Sequence, residues 1–352
     1  RSGTTRSASV SRTSAAAPQH LGAPPQAAAG PHEAVAIDPG LGRAYLGLGV
    51  MAEQGNRAGE AIDWYKRGIA ADEDDMDLRS ALIGSLRRRG QLDEAVAEAR
   101  SALAFNSKSL PVFNDLGLVY VEKGDLSMAR FVFLKALGQV EGAKNNAAIR
   151  TNFGWTLYLS EEPLQARVQL QESYALDNKY LPTLVYLSHL YLDDRNYADA
   201  VPLLEEAARQ EPDNYSTLVN LGIAYRGDGK LDQSKATYER ALTVEPSAAD
   251  PWLNLGVLLG DYYKDYDGAT KAFNTYLQRG GTQKELVDSY LKDITKEKAR
   301  AEKQGARDAE RKKREAERLE RERLLREAEK NKDGDAPPDP PPEGGDAPWG
   351  PQ

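Results

Sequence analysis

The sequence contains no cysteine, which excludes a disulfide framework and any thiolate zinc site. Histidine is scarce too: His20, His32 and His189 are the only three. No HExxH, no paired metal-ligand spacing and no nucleophile motif occurs. The stretch "GDGK" (Gly227–Lys230) lacks the spacing and the following Ser/Thr of a phosphate loop. Carboxylates are plentiful, but the densest run, Asp72, Glu73, Asp74 and Asp75, reads as a solvated acidic turn. The chain is not expected to be an enzyme, and no catalytic residue, cofactor or metal is assigned. Long apolar runs are also missing: none approaches the roughly 18 residues of a membrane-spanning helix. Hydrophobic residues at 40% and charged residues at 28% suit a soluble folded chain.

What is there is periodicity. Leu218, Leu221, Gly222 and Tyr225 share one helix face. "GDGK" breaks the pattern, and a second stripe follows at Leu231, Ser234, Tyr238, Ala241 and Leu242 until Pro246. Two short helices forming a hairpin result, with Gly222, Ser234 and Ala241 marking close crossings. The pattern recurs. Gly49, Ile83, Gly117, Gly154, Ser188, Gly222 and Gly256 are spaced by 34 residues, with one step of 37 between Gly117 and Gly154. The preceding residues are Leu48, Leu82, Leu116, Phe153, Leu187, Leu221 and Leu255. Twelve positions on stand Ala61, Ala95, Ala129, Ala166, Ala200 and Ser234; in the last unit Ala269 comes one residue later.

On these residues the sequence resembles the tetratricopeptide-repeat (TPR) family, whose units are 34 residues long. Seven units are expected at 42–75, 76–109, 110–146, 147–180, 181–214, 215–248 and 249–283. The resemblance implies an all-α solenoid of stacked helical hairpins, each with a helix A and a helix B. Departures are visible. The family's early aromatic in helix A is kept at Tyr45, Phe113 and Trp252 but is Arg79, Arg150, Leu184 and Leu218 elsewhere. Unit two has Ile83 where Gly is usual. A vestigial closing helix is expected at 32–41.

Around this array the composition changes. Residues 1–31 are rich in Ser, Thr, Ala, Pro and Gly and read as a disordered tether. A capping helix is expected at 284–296, with Leu286, Tyr290 and Ile294 on one face. Residues 297–332 interleave acids and bases, and Glu310/Arg314, Glu317/Arg321 and Glu322/Arg326 are favourable i,i+4 pairs. They read as a single solvated helix, whose mixed charge makes a nucleic-acid arm a weaker reading. Residues 333–352 form an acidic, Pro-rich tail read as disordered.

In the family, helix A lines the concave face, and the residue after the recurring Gly points into the groove. The resemblance carries this onto Val50, Leu118, Trp155, His189, Ile223 and Val257. Four residues earlier in each unit it reaches Leu46, Asn114, Val185, Val219 and Leu253. Chaperone-binding members use Lys and Asn at such places to clamp a terminal carboxylate; this sequence does not. The wall is largely apolar instead, which suits a helix or extended segment with apolar anchors. Some of these residues are alternatively expected to pack against the neighbouring helix A.

The function expected is a protein-binding scaffold without enzymatic activity. One setting is a bacterial envelope machine of the gliding-motility or pilus/secretion type. The chain starts with Arg1 rather than Met, which fits a lipid anchor upstream and a periplasmic, outer-membrane-tethered lipoprotein. The alternative is a cytoplasmic regulatory scaffold whose charged helix contacts nucleic acid or ribosome.

Overall fold

A computed structural model describes Gly30 and residues 41–333. Apart from Gly30, Leu41 and Asp333, the expected tether (1–31), vestigial helix (32–41) and tail (333–352) lie outside the described residues. The fold is an all-α solenoid, with no strand among the described residues. In chain order the hairpins are α1 (Gly42–Gln54) with α2 (Ala58–Ala71), α3 (Met76–Arg88) with α4 (Leu92–Phe105), and α5 (Leu110–Glu122) with α6 (Leu126–Gln139). They continue as α7 (Ala147–Leu159) with α8 (Pro163–Leu176), α9 (Leu181–Asp193) with α10 (Tyr197–Gln210), and α11 (Tyr215–Gly227) with α12 (Leu231–Val244). The last pairs α13 (Asp250–Val257), prolonged by a π-helical stretch Leu258–Tyr263, with α14 (Tyr266–Gln278). Helix α15 (Lys284–Asp333) is the last described element. Odd-numbered helices α1 to α13 are the A helices.

A large–small pairing locks each hairpin. A Cβ built on Gly49 would lie 2.0 Å from the Tyr65 ring, on Gly117 2.3 Å from Phe133, on Gly222 2.3 Å from Tyr238, and on Gly256 2.6 Å from Phe273. Unit two inverts the pair. Ile83 takes the glycine position, and Ala99 stands where the others carry a large side chain; both are fully buried. The departure at Ile83 is therefore compensated across the same hairpin. The second small row is buried throughout, from Ala61 to Ala269, and Ser234 donates its hydroxyl to the Gly222 carbonyl at 2.7 Å.

Arginine replaces the early aromatic in units two and four, and in both it is held at its head. Arg79 donates to the Glu73 carbonyl at 2.8 Å and to Glu98 at 2.6 Å, and lies 4.5 Å over the Phe105 ring. Arg150 donates to the Lys144 carbonyl at 2.6 Å and Gln169 at 3.0 Å, and pairs with Glu172. The guanidinium stem fills the ring's place and its fork is satisfied at the rim.

Each A helix ends in a left-handed residue followed by a bond back over the last turn, the Schellman arrangement. Gly90, Gly124 and Gly229 take this position, but so do Asn56, Glu161, Arg195 and Lys264. The closing bond spans five residues in six hairpins, as in Lys230 N–H to the Tyr225 carbonyl. In the seventh, Asp265 donates to Leu259, six residues back. The extra residue that displaces Ala269 is thus taken up as π-helix while the turn itself is preserved. The other irregular step, of 37 residues, is absorbed by a 3-10 turn at Ala143–Asn145, entered through Gly142 at φ 79°.

The core is continuous from Tyr45 to Ala207 and is then handed on through smaller clusters to the last hairpin. Helix α15 ends it. Val287 is fully buried, Ile294 nearly so, and Tyr290 stacks on Phe273 at 5.1 Å. Val287, Leu291 and Ile294 pack there together with Tyr290, whereas Leu286 is not among them. The expected capping helix and charged helix are one unbroken 50-residue helix. Beyond Ile294 its described side chains are almost all exposed.

Candidate functional site

The B helices cover the side of each A helix that carries the recurring glycine. Residues one after, two before and five after that position are rotated about 100–160° away from it. Residues three before are rotated only about 60°, toward the next A helix. The structure sorts the expected groove residues along this line.

The row three residues before is mostly interleaved between A helices. Leu46 and Val185 pack against the first core cluster, Val219 against the second and Leu253 against the third. Asn114 accepts a hydrogen bond from Asn152 at 2.7 Å, across from α7 to α5. In unit four Thr151 is fully buried in a hydroxyl triad with Ser173 (2.7 Å) and Thr183 (2.6 Å). The row one residue after is more open. Val50 is 38% exposed, and Leu118, Trp155 and His189 are half-buried. Ile223 and Val257, also half-buried, lean on the cores of the last two hairpins.

Trp155 and His189 meet in an aromatic cluster that joins α7 to α9. The indole stacks on Tyr186 at 4.3 Å and 10°, and on Tyr158 at 4.9 Å and 18°. His189 stands edge-on to both Trp155 (5.9 Å) and Tyr158 (5.4 Å). Asp193 closes the cluster: the Tyr158 hydroxyl donates to its Oδ2 at 2.5 Å, and His189 Nδ1 lies 3.6 Å from the same oxygen. Burial alone would raise the Asp193 pKa, but the nearby His189 and the Tyr158 hydroxyl outweigh it and hold the carboxyl below its ordinary range. Sequence reasoning missed Tyr158, Tyr186, Asp193 and Asn152. Tyr186 and Asn152 stand two before the recurring position and Asp193 five after, so extending the period to those rows would have found them.

Toward the first units the same face turns polar. Ser80 on α3 donates to Asp115 on α5, Arg87 pairs with Glu122, and Arg88 with Glu53. Burial pushes the Asp115 carboxyl up to about 6, against the Ser80 hydrogen bond and the charges of Arg87 and Arg88. Among the described residues no group of His, Asp or Glu is arranged to hold a metal ion. No helix there is long and apolar enough to cross a membrane.

Comparison with known proteins fits this geometry. Models described as "Tetratricopeptide repeat" match residues 24–76, 110–139 and 191–255. The chain is 24% identical over 243 residues to the human protein O-mannosyl-transferase TMTC3, covering 67% of this chain and 26% of that protein. It is 21% identical over 216 residues to the BBSome complex member BBS4 homolog of Drosophila melanogaster, covering 57% and 43%. The chain therefore spans less than half the length of these curated relatives. Among solved structures, the Cut9–Hcn1 hetero-tetramer of the APC/C superposes with a TM-score of 0.59 at 15% identity, over 76% of this chain and 51% of that one. PilF of Pseudomonas aeruginosa superposes at 0.52 and 20% identity, over 63% and 96%. At these identities the likeness is one of fold.

Proposed function

Because this chain is a tetratricopeptide-repeat protein, built on a fold that serves as a protein-interaction scaffold, we propose that it holds a segment of a partner protein on the open face of its A helices. The observation that carries the reading is the half-exposed cluster of Trp155, Tyr158, Tyr186 and His189 in mid-array. Large aromatic groups with a polar edge are common anchors of interfaces. Toward the first unit, the exposed Val50 and the half-buried Leu118 stand on the same row, among the polar pairs of units one to three. The partner segment is a helix or extended strand with apolar anchors, and binding it assembles a larger complex without chemistry on the segment.

The setting we propose is a bacterial envelope machine. It is supported by the plan of the sequence: a Ser/Thr/Ala/Pro/Gly-rich stretch, then repeats, then a charged helix and an acidic Pro-rich tail. Fractionation of cells expressing the natural protein tests it, and recovery wholly in the soluble cytoplasm overturns it.

Photo-crosslinking tests the binding face. A benzophenone side chain is placed in the full chain at Val50 or Trp155, and at the exposed Phe131 on α6 as a control on the B-helix side. Adducts with one protein from the first two positions and none from Phe131 are expected. Adducts from Phe131 alone would move the interface to the B helices.

A further inference from the structure

Polar contacts between the A helices repeat, and one expected pair is not made. A residue four after the recurring position reaches the residue five after it in the next unit: Glu53 meets Arg88, Arg87 meets Glu122, and Tyr158 meets Asp193. Units six and seven carry opposite charges at the same two positions, Arg226 and Asp261. Asp261, however, lies in the π-helical stretch Leu258–Tyr263, where the extra residue shifts it out of register. Among the described residues, Arg226 is left with no hydrogen bond and no ion pair. Its Nη1 is shut in without an acceptor, while the side chain as a whole is only half-buried, so its other nitrogens keep access to solvent. The other buried or half-buried arginines of the A helices, Arg79, Arg87 and Arg150, each pair with a glutamate. Acids on the neighbouring turns are engaged elsewhere. Glu205 accepts from Tyr225 at 2.7 Å, Asp228 pairs with Lys230 at 2.9 Å, and Asp232 accepts from Tyr263.

A guanidinium stays charged and presents a fork that matches a carboxylate. Enclosing one of its donors without an acceptor is unfavourable, so an acceptor brought from outside is favoured there. Tyr262, exposed on the π-helical stretch, adds a hydroxyl. Burial raises the Tyr238 and Tyr290 hydroxyls above their ordinary range, and the charges of Arg226 and Tyr262 act on both, which places those two side chains together. We propose that Arg226, beside Tyr262, binds the side-chain carboxylate of a Glu or Asp in the partner segment. One cation with Asp228 and Asp261 nearby suits a singly charged carboxylate better than a doubly charged phosphate. The row is neither of the two at which chaperone-binding members clamp a terminal carboxylate. The inference rests on the segment-binding reading of the A helices and deepens it, giving the segment an acidic residue one unit beyond the aromatic cluster.

The test uses the full chain and three blocked pentapeptides: acetyl-Gly-Ala-Glu-Ala-Gly-amide and the same sequence with Gln or phosphoserine in place of Glu. The readout is the Arg226 Nε–H resonance, identified by its loss in Arg226→Gln. A saturable shift with the Glu peptide is expected, at least roughly five-fold weaker with Gln. In Arg226→Gln, folded by circular dichroism, the backbone shifts that the Glu peptide causes in the parent should vanish. Asp261→Asn removes a like charge from an exposed position and should tighten Glu binding roughly two-fold. Equal responses to Glu and Gln, shifts that survive in Arg226→Gln, no tightening in Asp261→Asn, or no saturable shift up to about 20 mM peptide would each overturn the proposal. Tighter binding of the phosphoserine peptide would overturn the assignment to a carboxylate. If crosslinks from Val50 and Trp155 form while the Glu peptide is silent, the binding face stands and the Arg226 site alone falls. A positive titration without those crosslinks is the opposite failure.

Discussion

Glu161, Arg195 and Lys264 hold φ near +60°, where a side chain crowds its own backbone. The turns demand that conformation, because the closing bond of each hairpin forms only around it. Glu161→Gly and Arg195→Gly should each stabilise the protein by about 0.5–1 kcal/mol, the relieved strain being partly offset by the freer unfolded chain. Denaturant midpoints at unchanged slope would check this. Asp115 makes a different prediction. Its folded pKa, about 6, lies above its ordinary value of 3.8. The folded state therefore binds the proton more tightly. This contribution is fully present below pH 3.8 and is lost as pH rises through about 6. Stability should gain about 1–3 kcal/mol from Asp115 between pH 7 and pH 4. Asp115→Asn should flatten that part of the profile and be more stable than the parent at pH 7, as read by chemical unfolding at each pH. None of this could be read from the sequence, where Asp115 is one aspartate on a helix and the left-handed residues share no side-chain type.

At the scale of the hairpin, the sequence is most legible. The pairing of Gly49 with Tyr65, Gly117 with Phe133 and Gly222 with Tyr238 is a steric statement, and it repeats at a fixed interval because every hairpin solves the same packing problem. Unit two supplies a test. Gly222→Ile should be severely destabilising, since even a Cβ there meets the Tyr238 ring. Tyr238→Ala should lose about 3–5 kcal/mol through the cavity it leaves. The double variant copies the Ile83/Ala99 pair and should recover at least about 2 kcal/mol relative to the sum of the single changes. Strict additivity would mean that the two positions do not meet. The proposed binding face was less legible. Leu46, Val185, Val219 and Leu253 look like a groove wall on a helical wheel, but they are partly buried because neighbouring A helices close over that row. The aromatic cluster draws Trp155 and Tyr158 from one unit and Tyr186 and His189 from the next; Trp155 and His189 share a repeat row, whereas Tyr158 and Tyr186 come from two other rows. No single repeat row contains it, so a scan confined to the row after the recurring residue finds only Trp155 and His189. Likewise, the late Ala269 signals one extra residue, but only the backbone places that residue in the π-helical stretch Leu258–Tyr263.

For the whole molecule, stability passes from hairpin to hairpin and must end against something. At the far end, α15 does this with Val287, Tyr290, Leu291 and Ile294. A chain ending after Arg300 should therefore melt within about 2 °C of the parent, whereas one ending after Gln283 should melt at least about 5 °C lower. The second exposes Phe273 and Tyr276, now fully or almost fully buried. Differential scanning calorimetry separates the two, and equal melting would mean that α15 does not cap the array.

The rest of α15 has a mechanical consequence. Lys298 still reaches back to Asp267 on α14, but from residue 299 to 328 the described side chains join no core cluster and pair among themselves, as Arg314 does with Glu310 and Arg323 with Glu327. Such pairs weaken as salt is added. Helical, residues 297–333 reach roughly 55 Å from the last repeat; unwound, their ends average roughly 35 Å apart. Ionic strength thus sets the working length of a boom, and with it the effective concentration at which anything attached beyond Asp333 meets the array.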